Sequence, residues 1–297
     1  MMQTDTKILP VEFDYLQPTH LSEALALLAQ WGSRARVLAG GTDLMVKMKR
    51  LIAEPECLIN VKSLPELQGI HEEADGLVIG AAVPLAQAEK NALVMSRYSA
   101  LFEALRSMAA IAVRNMGTIG GNLANASPAA DTAPPLIVLG ADLRLASARG
   151  GRTVPVEIFF RGPGLSVLEP DELIVAIRLP APAPNEGSAF LKLGRVSCDI
   201  SKINTAVWLK REGSRCADCR IAFGSVAPTP IRAPALEKMV IGMRADAHVL
   251  HEATLGAGDA ISPISDARST RDYRRMVAPV LLEEALRAAW TRSGGAL

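Results

Sequence analysis

Between Arg114 and Asp131 the chain reads RNMGTIGGNLANASPAAD, a run that combines Gly117, Gly120 and Gly121 with Thr118, Asn122, Asn125 and Ser127 and carries almost no bulky apolar side chain. Such a run has little to pack with. Its glycines lack a Cβ, so they are free to take positive φ and to lie against a ligand, while the hydroxyls and amides beside them supply directed hydrogen bonds. The chemistry this suits is recognition of an anion by backbone N–H groups, with a nucleotide diphosphate as the obvious candidate.

A second run, AGGTDL at 39–44, has the same character. A short strand that ends in Gly40 and Gly41 and feeds a helix opening with Thr42 and Asp43 presents free N–H groups at the positive end of a helix dipole. Its spacing is neither GxGxxG nor GxxxxGK[ST], so a Rossmann dinucleotide fingerprint and a phosphate loop are both excluded. Taken alone, the glycines make a tight turn and Thr42 or Asp43 caps the helix. Taken together, two glycine-rich, hydroxyl-bearing turns suit one long ligand with a diphosphate in its middle.

The elements that must position these turns follow from periodicity. Leu21, Leu25, Leu28 and Trp31 recur at helical spacing, with Thr19 as cap and Gly32 as stop. RVLAGG then reads as a strand, and Leu44, Met48 and Leu51 fall on one helical face. CLINV at 57–61 and LVIGAAV at 77–83 read as strands, SALFEALRSMA as a helix, TAPPLIVLG as a short helix closed by Gly140, and DLRLAS and LIVAIRLP as strands. Pro180, Pro182 and Pro184 interrupt regular structure. The domain junction is placed there, giving units 1–181 and 187–297. Beyond it SAFLKLGRV, NTAVWLK and CADCRIAFGSV read as strands, the last two joined at 212–214. From Thr270 to Arg292 a long amphipathic helix places Tyr273, Met276, Val280, Leu281, Ala285 and Ala288 on one face.

Composition narrows the function classes. The chain has 297 residues, 32 Lys plus Arg against 31 Asp plus Glu. A near-neutral balance offers no field to gather a nucleic acid. MMQTDTKILP lacks the basic and apolar regions of a secretory leader, and no apolar run is long enough to span a bilayer, so a soluble, cytoplasmic protein is expected. Cys57, Cys198, Cys216 and Cys219 are too few and scattered for a disulfide framework. On a regular strand Cys216 and Cys219, three apart, point to opposite faces, so they cannot chelate one ion without a break in the strand. His20 and His71 sit apart from every motif, and His248 and His251 fall three apart on a helix with a solvated face. No nucleophile and base pair presents itself.

The paired motifs AGGTDL and RNMGTIGGNLANASPAAD, with FLKLGRVSCDISKINTAV and RIAFGSVAPTPIRA, resemble the FAD-binding medium subunits of molybdenum hydroxylases, the family of carbon monoxide, xanthine and nicotinate dehydrogenases. The resemblance covers nearly the whole chain. It implies an α+β fold: a two-lobed PCMH-type FAD-binding domain, then a C-terminal domain of the CO-dehydrogenase flavoprotein type with a small antiparallel sheet and helices. It places Val37, Leu38, Ala39, Gly40, Gly41, Thr42, Asp43 and Leu44 around the FAD diphosphate, with Thr118, Ile119, Gly120, Gly121 and Asn122 on its other side. Asn125 stands where some relatives carry Thr. Asp131 is expected on polar parts of the cofactor, Ile174 near the isoalloxazine ring, and Lys192 at a position that reaches the flavin.

These positions have ordinary readings too. Asp131 suits an N-cap, Lys192 a solvated charge, Ile174 a core position, and Arg114 either a phosphate contact or a guanidinium packed against backbone carbonyls. The resemblance implies an oxidoreductase whose chemistry belongs to its cofactor. Electrons would come from a molybdopterin centre in a large partner subunit through two 2Fe–2S clusters in a small one, in a dimer of heterotrimers. They would leave to NAD+ or another acceptor. The alternative is a stand-alone FAD-dependent oxidoreductase of the related vanillyl-alcohol-oxidase class.

Overall fold

The computed structural model describes residues 9–244 and 246–296, so the leader reading of residues 1–8 lies outside the described residues. The first lobe runs β1 (Asp14–Leu16), α1 (Leu21–Trp31), β2 (Ala35–Leu38), α2 (Leu44–Lys49) and β3 (Cys57–Asn60). Its strands form a parallel sheet in the order β1-β3-β2. Helix α1 buries Ala24, Leu25 and Leu28 against Ala35, Cys57 and Ile59 of that sheet, and Gly32, at φ 52, ends it. Its N-cap is His20, not Thr19. The Thr19 N–H donates to Glu23 Oε2 at 2.8 Å, so Thr19 lies one residue outside the helix. Helix α2 is also shorter than expected, because Leu51 takes φ 54 beyond its end.

The second lobe contains β4 (Ile70–Glu73), β5 (Gly76–Gly80), six short helices, α3 (Leu85–Glu89), α4 (Ala92–Arg97), α5 (Ser99–Ser107), α6 (Ile111–Met116), α7 (Ile119–Ala124) and α8 (Ala133–Val138), and then β6 (Asp142–Ser147) and β7 (Gly150–Pro155). A small hairpin of β8 (Phe160–Gly162) and β9 (Leu165–Ser166) leads to β10 (Leu173–Pro180). The five longer strands make an antiparallel sheet in the order β4-β5-β10-β6-β7. Sequence reasoning passes over β4 and β7 because both are polar edge strands: β7 buries only Val154 and β4 is nowhere fully buried. Strand β10 instead buries Leu173, Ile174, Ala176, Ile177 and Leu179 at the sheet centre, so its apolar run announces it.

The C-terminal unit is an antiparallel sheet, β11 (Glu186–Leu193), β12 (Ile203–Glu212), β13 (Arg215–Gly224) and β14 (Ile231–Arg232), with helices α9 (Pro234–Val240), α10 (Ala247–Thr254) and α11 (Arg271–Arg292). This is the expected α+β arrangement of two lobes followed by a small antiparallel sheet with helices. Two details differ. Helix α11 buries Arg274, Ala278, Leu281, Leu282, Ala285, Leu286, Ala289 and Trp290, while Tyr273, Met276 and Val280 are exposed. The alanine side faces inward because β11 comes so close that a Cβ on Gly187 would stand 2.0 Å from the Ala289 carbonyl oxygen. In β13 a bulge at Ala217 shifts the register, pairing Lys210 with Asp218 but Arg211 with Cys216. That break brings Cys216 and Cys219 to the same buried face, where a regular strand would have separated them.

Candidate functional site

Both glycine turns open onto one cavity of about 670 Å3, within the range of small-molecule sites. Its wall includes Val37, Ala39, Gly40, Gly41, Thr42, Asp43 and Leu44 from the first turn. It also includes Thr118, Gly120, Gly121, Asn122 and Asn125 from the second, with Asp131 and Ile174. Three expected residues are not on the wall. Ile119 is fully buried in the core beneath it, Leu38 closes strand β2, and Lys192 sits behind Asp131.

The two turns do different jobs. After β2 the chain turns at Gly41, φ 71, and the N–H groups of Gly40, Gly41, Thr42 and Asp43 find no acceptor among the described residues. Neither Thr42 nor Asp43 caps α2 with its side chain. A row of donors with no acceptor in the protein, at a cavity wall, is suited to an anion. In the second turn the donors are already used. Ile119 N–H goes to Val83 O, Gly120 N–H to Ala81 O at 3.0 Å, Asn122 N–H to Thr118 O, and Gly121 N–H to the capping Thr118 Oγ1 at 3.0 Å. None of Gly117, Gly120 and Gly121 has positive φ, contrary to the conformational reason that the sequence suggests.

Close approach explains these glycines instead. A Cβ on Gly120 would meet the Ala81 Cβ at 2.6 Å, and one on Gly40 would stand 2.2 Å from the Met116 carbonyl oxygen and 2.6 Å from the Gly117 Cα. The turns are packed backbone against backbone, so the second holds the first in shape. What the second turn offers the cavity is side chains. Asn122 Oδ1 accepts from Thr132 Oγ1 at 2.6 Å, and its amide N–H groups have no acceptor among the described residues. Asn125 Oδ1 accepts from Lys47 Nζ at 2.6 Å. Lys47 itself lines the cavity, a cation beside the row of free donors that sequence reasoning missed; its place on α2, one turn after Asp43, was the signal.

Asp131 is not the cap of α8, whose N-cap is Thr132. Its carboxylate accepts from Lys192 Nζ at 2.7 Å and Asn204 Nδ2 at 2.9 Å, with both charged side chains almost fully buried. Burial pushes the Asp131 carboxyl above its ordinary range against the opposing pull of Lys192 and Asn204. Lys192 is thus neither solvated nor on the cavity wall. Arg114 takes its structural role, donating to Met108 O and Ala109 O, each at 2.8 Å, and to Glu89. At the far end the wall is completed by Leu168, Leu173 and Ile174, and by Cys198, Asp199 and Ile200 of the loop after β11. The hydrogen bond from Arg195 holds the Asp199 carboxyl down at about 2. Among the described residues no three His, Cys, Asp or Glu side chains form a group that would hold a metal.

Comparison with known proteins gives this geometry a context. The family described as the FAD binding domain in molybdopterin dehydrogenase matches residues 11–182, and the CO dehydrogenase flavoprotein C-terminal domain matches residues 188–289. The chain is 37% identical to a carbon monoxide dehydrogenase medium chain of Hydrogenophaga pseudoflava, covering 96% of this chain and 99% of that protein. It is 33% identical to a caffeine dehydrogenase subunit beta of Pseudomonas sp. strain CBB1, over 95% of this chain and 96% of that one. A solved structure of the Hydrogenophaga pseudoflava carbon monoxide dehydrogenase, in a form lacking the Mo-pyranopterin moiety of its molybdenum cofactor, superposes with a TM-score of 0.92 at 38% identity, covering 96% and 99% of the two chains.

Proposed function

The chain belongs to the FAD-binding medium subunits of the molybdopterin dehydrogenase family, and from that premise we propose that it carries electrons between an iron–sulfur subunit and a soluble acceptor. The observation that carries the reading is the row of free N–H groups at Gly40–Asp43 on a cavity wall, with Lys47 beside it. These donors and this cation fit a diphosphate, and the amide of Asn122 adds donors from the second turn. Ile174 and Leu173 supply an apolar surface suited to the flavin ring. Asp131, on the same wall, is held by Lys192 and Asn204, so Lys192 acts on the cofactor through Asp131. When bound, FAD supplies redox chemistry that links one-electron carriers to a two-electron acceptor.

In this reading units 1–181 and 187–297 bind and cover the cofactor respectively. A small subunit with two 2Fe–2S clusters delivers electrons that a large molybdopterin subunit takes from substrate, and NAD+ or another acceptor receives them. The assembly is a cytoplasmic dimer of heterotrimers. No helix among the described residues is long and apolar enough to cross a membrane. The test is affinity purification of the tagged chain from its native host: a large and a small subunit should follow it, and acid should release about one FAD per chain, the one-site stoichiometry. A folded chain that stays colourless after incubation with FAD sinks the flavin reading. One that binds FAD and oxidises a substrate unaided sinks the partner reading.

A further inference from the structure

Segment 127–131 forms part of the cavity wall through Ser127, Ala129, Ala130 and Asp131, yet its local hydrogen bonds are few. Ala129 N–H donates to Ser127 Oγ and Ala130 N–H to Ser127 O, both within the segment. Two tethers reach it from the C-terminal sheet. One is Asn204 with Lys192 on the Asp131 carboxylate. The other is Ser225, whose N–H donates to the Pro128 carbonyl at 2.8 Å. Pro128 has no N–H of its own, so this carbonyl is its backbone tie.

Ser225 is an unusual residue to find doing this. It is buried and takes φ 66, a left-handed conformation that a non-glycine residue keeps only where its surroundings over-determine it. Its carbonyl is met by Arg274 of α11. Its guanidinium, 3% exposed, donates through Nη1 to the Ser225 carbonyl at 3.0 Å and through Nη2 to Asp266 Oδ1 at 2.7 Å. The same carboxylate oxygen accepts the N–H of Arg268 and of Ser269, which fixes its direction. A guanidinium paired with that carboxylate is thus buried under the end of β13, with one of its donors on a backbone carbonyl. Burying it carries a large desolvation penalty, which a merely apolar contact would have avoided.

We propose that Arg274 is a positioning residue for the cofactor cavity: held by Asp266, it locks Ser225 in its left-handed turn, and Ser225 in turn holds Pro128 and the wall segment that ends in Asp131. This rests on the FAD reading for its ligand but not for its mechanics. It is tested on the full-length chain with Arg274→Met, Arg274→Lys and Asp266→Asn. In the absence of FAD, amide hydrogen exchange at Ala129, Ala130 and Asp131 should rise in Arg274→Met while exchange in the middle of β12 stays at the wild-type rate. With FAD titrated in, Arg274→Met should bind about tenfold more weakly, the equivalent of one charge-assisted hydrogen bond, and show an altered visible circular dichroism of the saturated flavin. Arg274→Lys, which keeps the charge and one donor, should restore part of both. Should Arg274→Met not fold, Asp266→Asn carries the same expectations at smaller amplitude. Wild-type exchange at 129–131 with unchanged flavin affinity overturns the proposal, and so does an exchange increase spread evenly over the C-terminal sheet. If the wild-type chain binds no FAD, the functional reading fails, and the exchange measurement alone still decides the role of Arg274.

Discussion

Gly40 and the Asp131–Lys192 pair hold the site's geometry by opposite means, one by lacking a side chain and the other by burying two. An added Cβ at Gly40 meets backbone, which has no rotamer to yield. Gly40→Ala should therefore cost about 1–3 kcal/mol as an overpacking change and lower flavin content, read as melting temperature and FAD per chain. Gly40 and Gly41 announce themselves in the sequence; that Gly40 is needed for contact with Met116 and only Gly41 for its φ does not show there, because the contact joins residues far apart in the chain. The ion pair was legible as two polar positions but not as a pair for the same reason. Asp131→Asn leaves Lys192 buried without a counter-charge and should destabilise by about 3–5 kcal/mol, whereas the double variant Asp131→Asn/Lys192→Met should recover much of that loss. Equal melting temperatures for the single and double variants would contradict this account.

Among the elements, those with an apolar face or with a partner that follows directly in the chain were readable. Helix α1, strand β10 and the hairpin of β12 and β13 are examples. The inward face of α11 was readable only in part: Leu281 and Ala285 are buried as expected, but the face is rotated so that Leu282, Leu286 and Trp290 point in while Tyr273, Met276 and Val280 point out. What selects the alanine face is the closeness of β11, which requires a glycine at 187. Gly187→Ala should accordingly cost about 1–3 kcal/mol by forcing α11 off the sheet, while Met276→Ser, on the exposed side, should change stability by less than about 0.5 kcal/mol. Denaturant unfolding of the two variants checks the pair. The reverse order would put the buried face back where periodicity alone suggests it.

At the scale of the whole molecule, the proline-rich stretch after β10 marks a change of sheet without a gap in packing. Phe190, Ala206 and Ala222 of the C-terminal sheet belong to the same buried cluster as Leu101, Leu105 and Ile137 of the second lobe. Polar ties follow the same path. Glu103 on α5 accepts the Phe190 N–H and pairs with Arg292 at the end of α11, and the Ala100 N–H donates to Ser188 Oγ. With a shared core and the buried Asp131–Lys192 pair across the seam, neither unit has a complete surface of its own. Thermal unfolding should then show one transition, with calorimetric and van't Hoff enthalpies in agreement. Because the cavity wall draws on both sides of the seam, FAD at a hundredfold its dissociation constant should raise that single transition as a whole, by about 2.7 kcal/mol. Acid should act on the same unit. Burial alone would raise the Asp266 carboxyl, but the N–H of Arg268, the Arg274 guanidinium and the N–H of Ser269 bring it down to about 2. A carboxyl lowered from its ordinary value near 3.9 contributes stability that is fully present above about pH 4 and is lost as pH falls toward about 2. Asp266→Asn should therefore narrow its stability gap from the parent chain across that window, measured by circular dichroism during acid titration. A gap that stays constant from pH 5 to pH 2 would contradict this account of Asp266, and a second transition appearing first in the C-terminal sheet would mean that the two units stand independently.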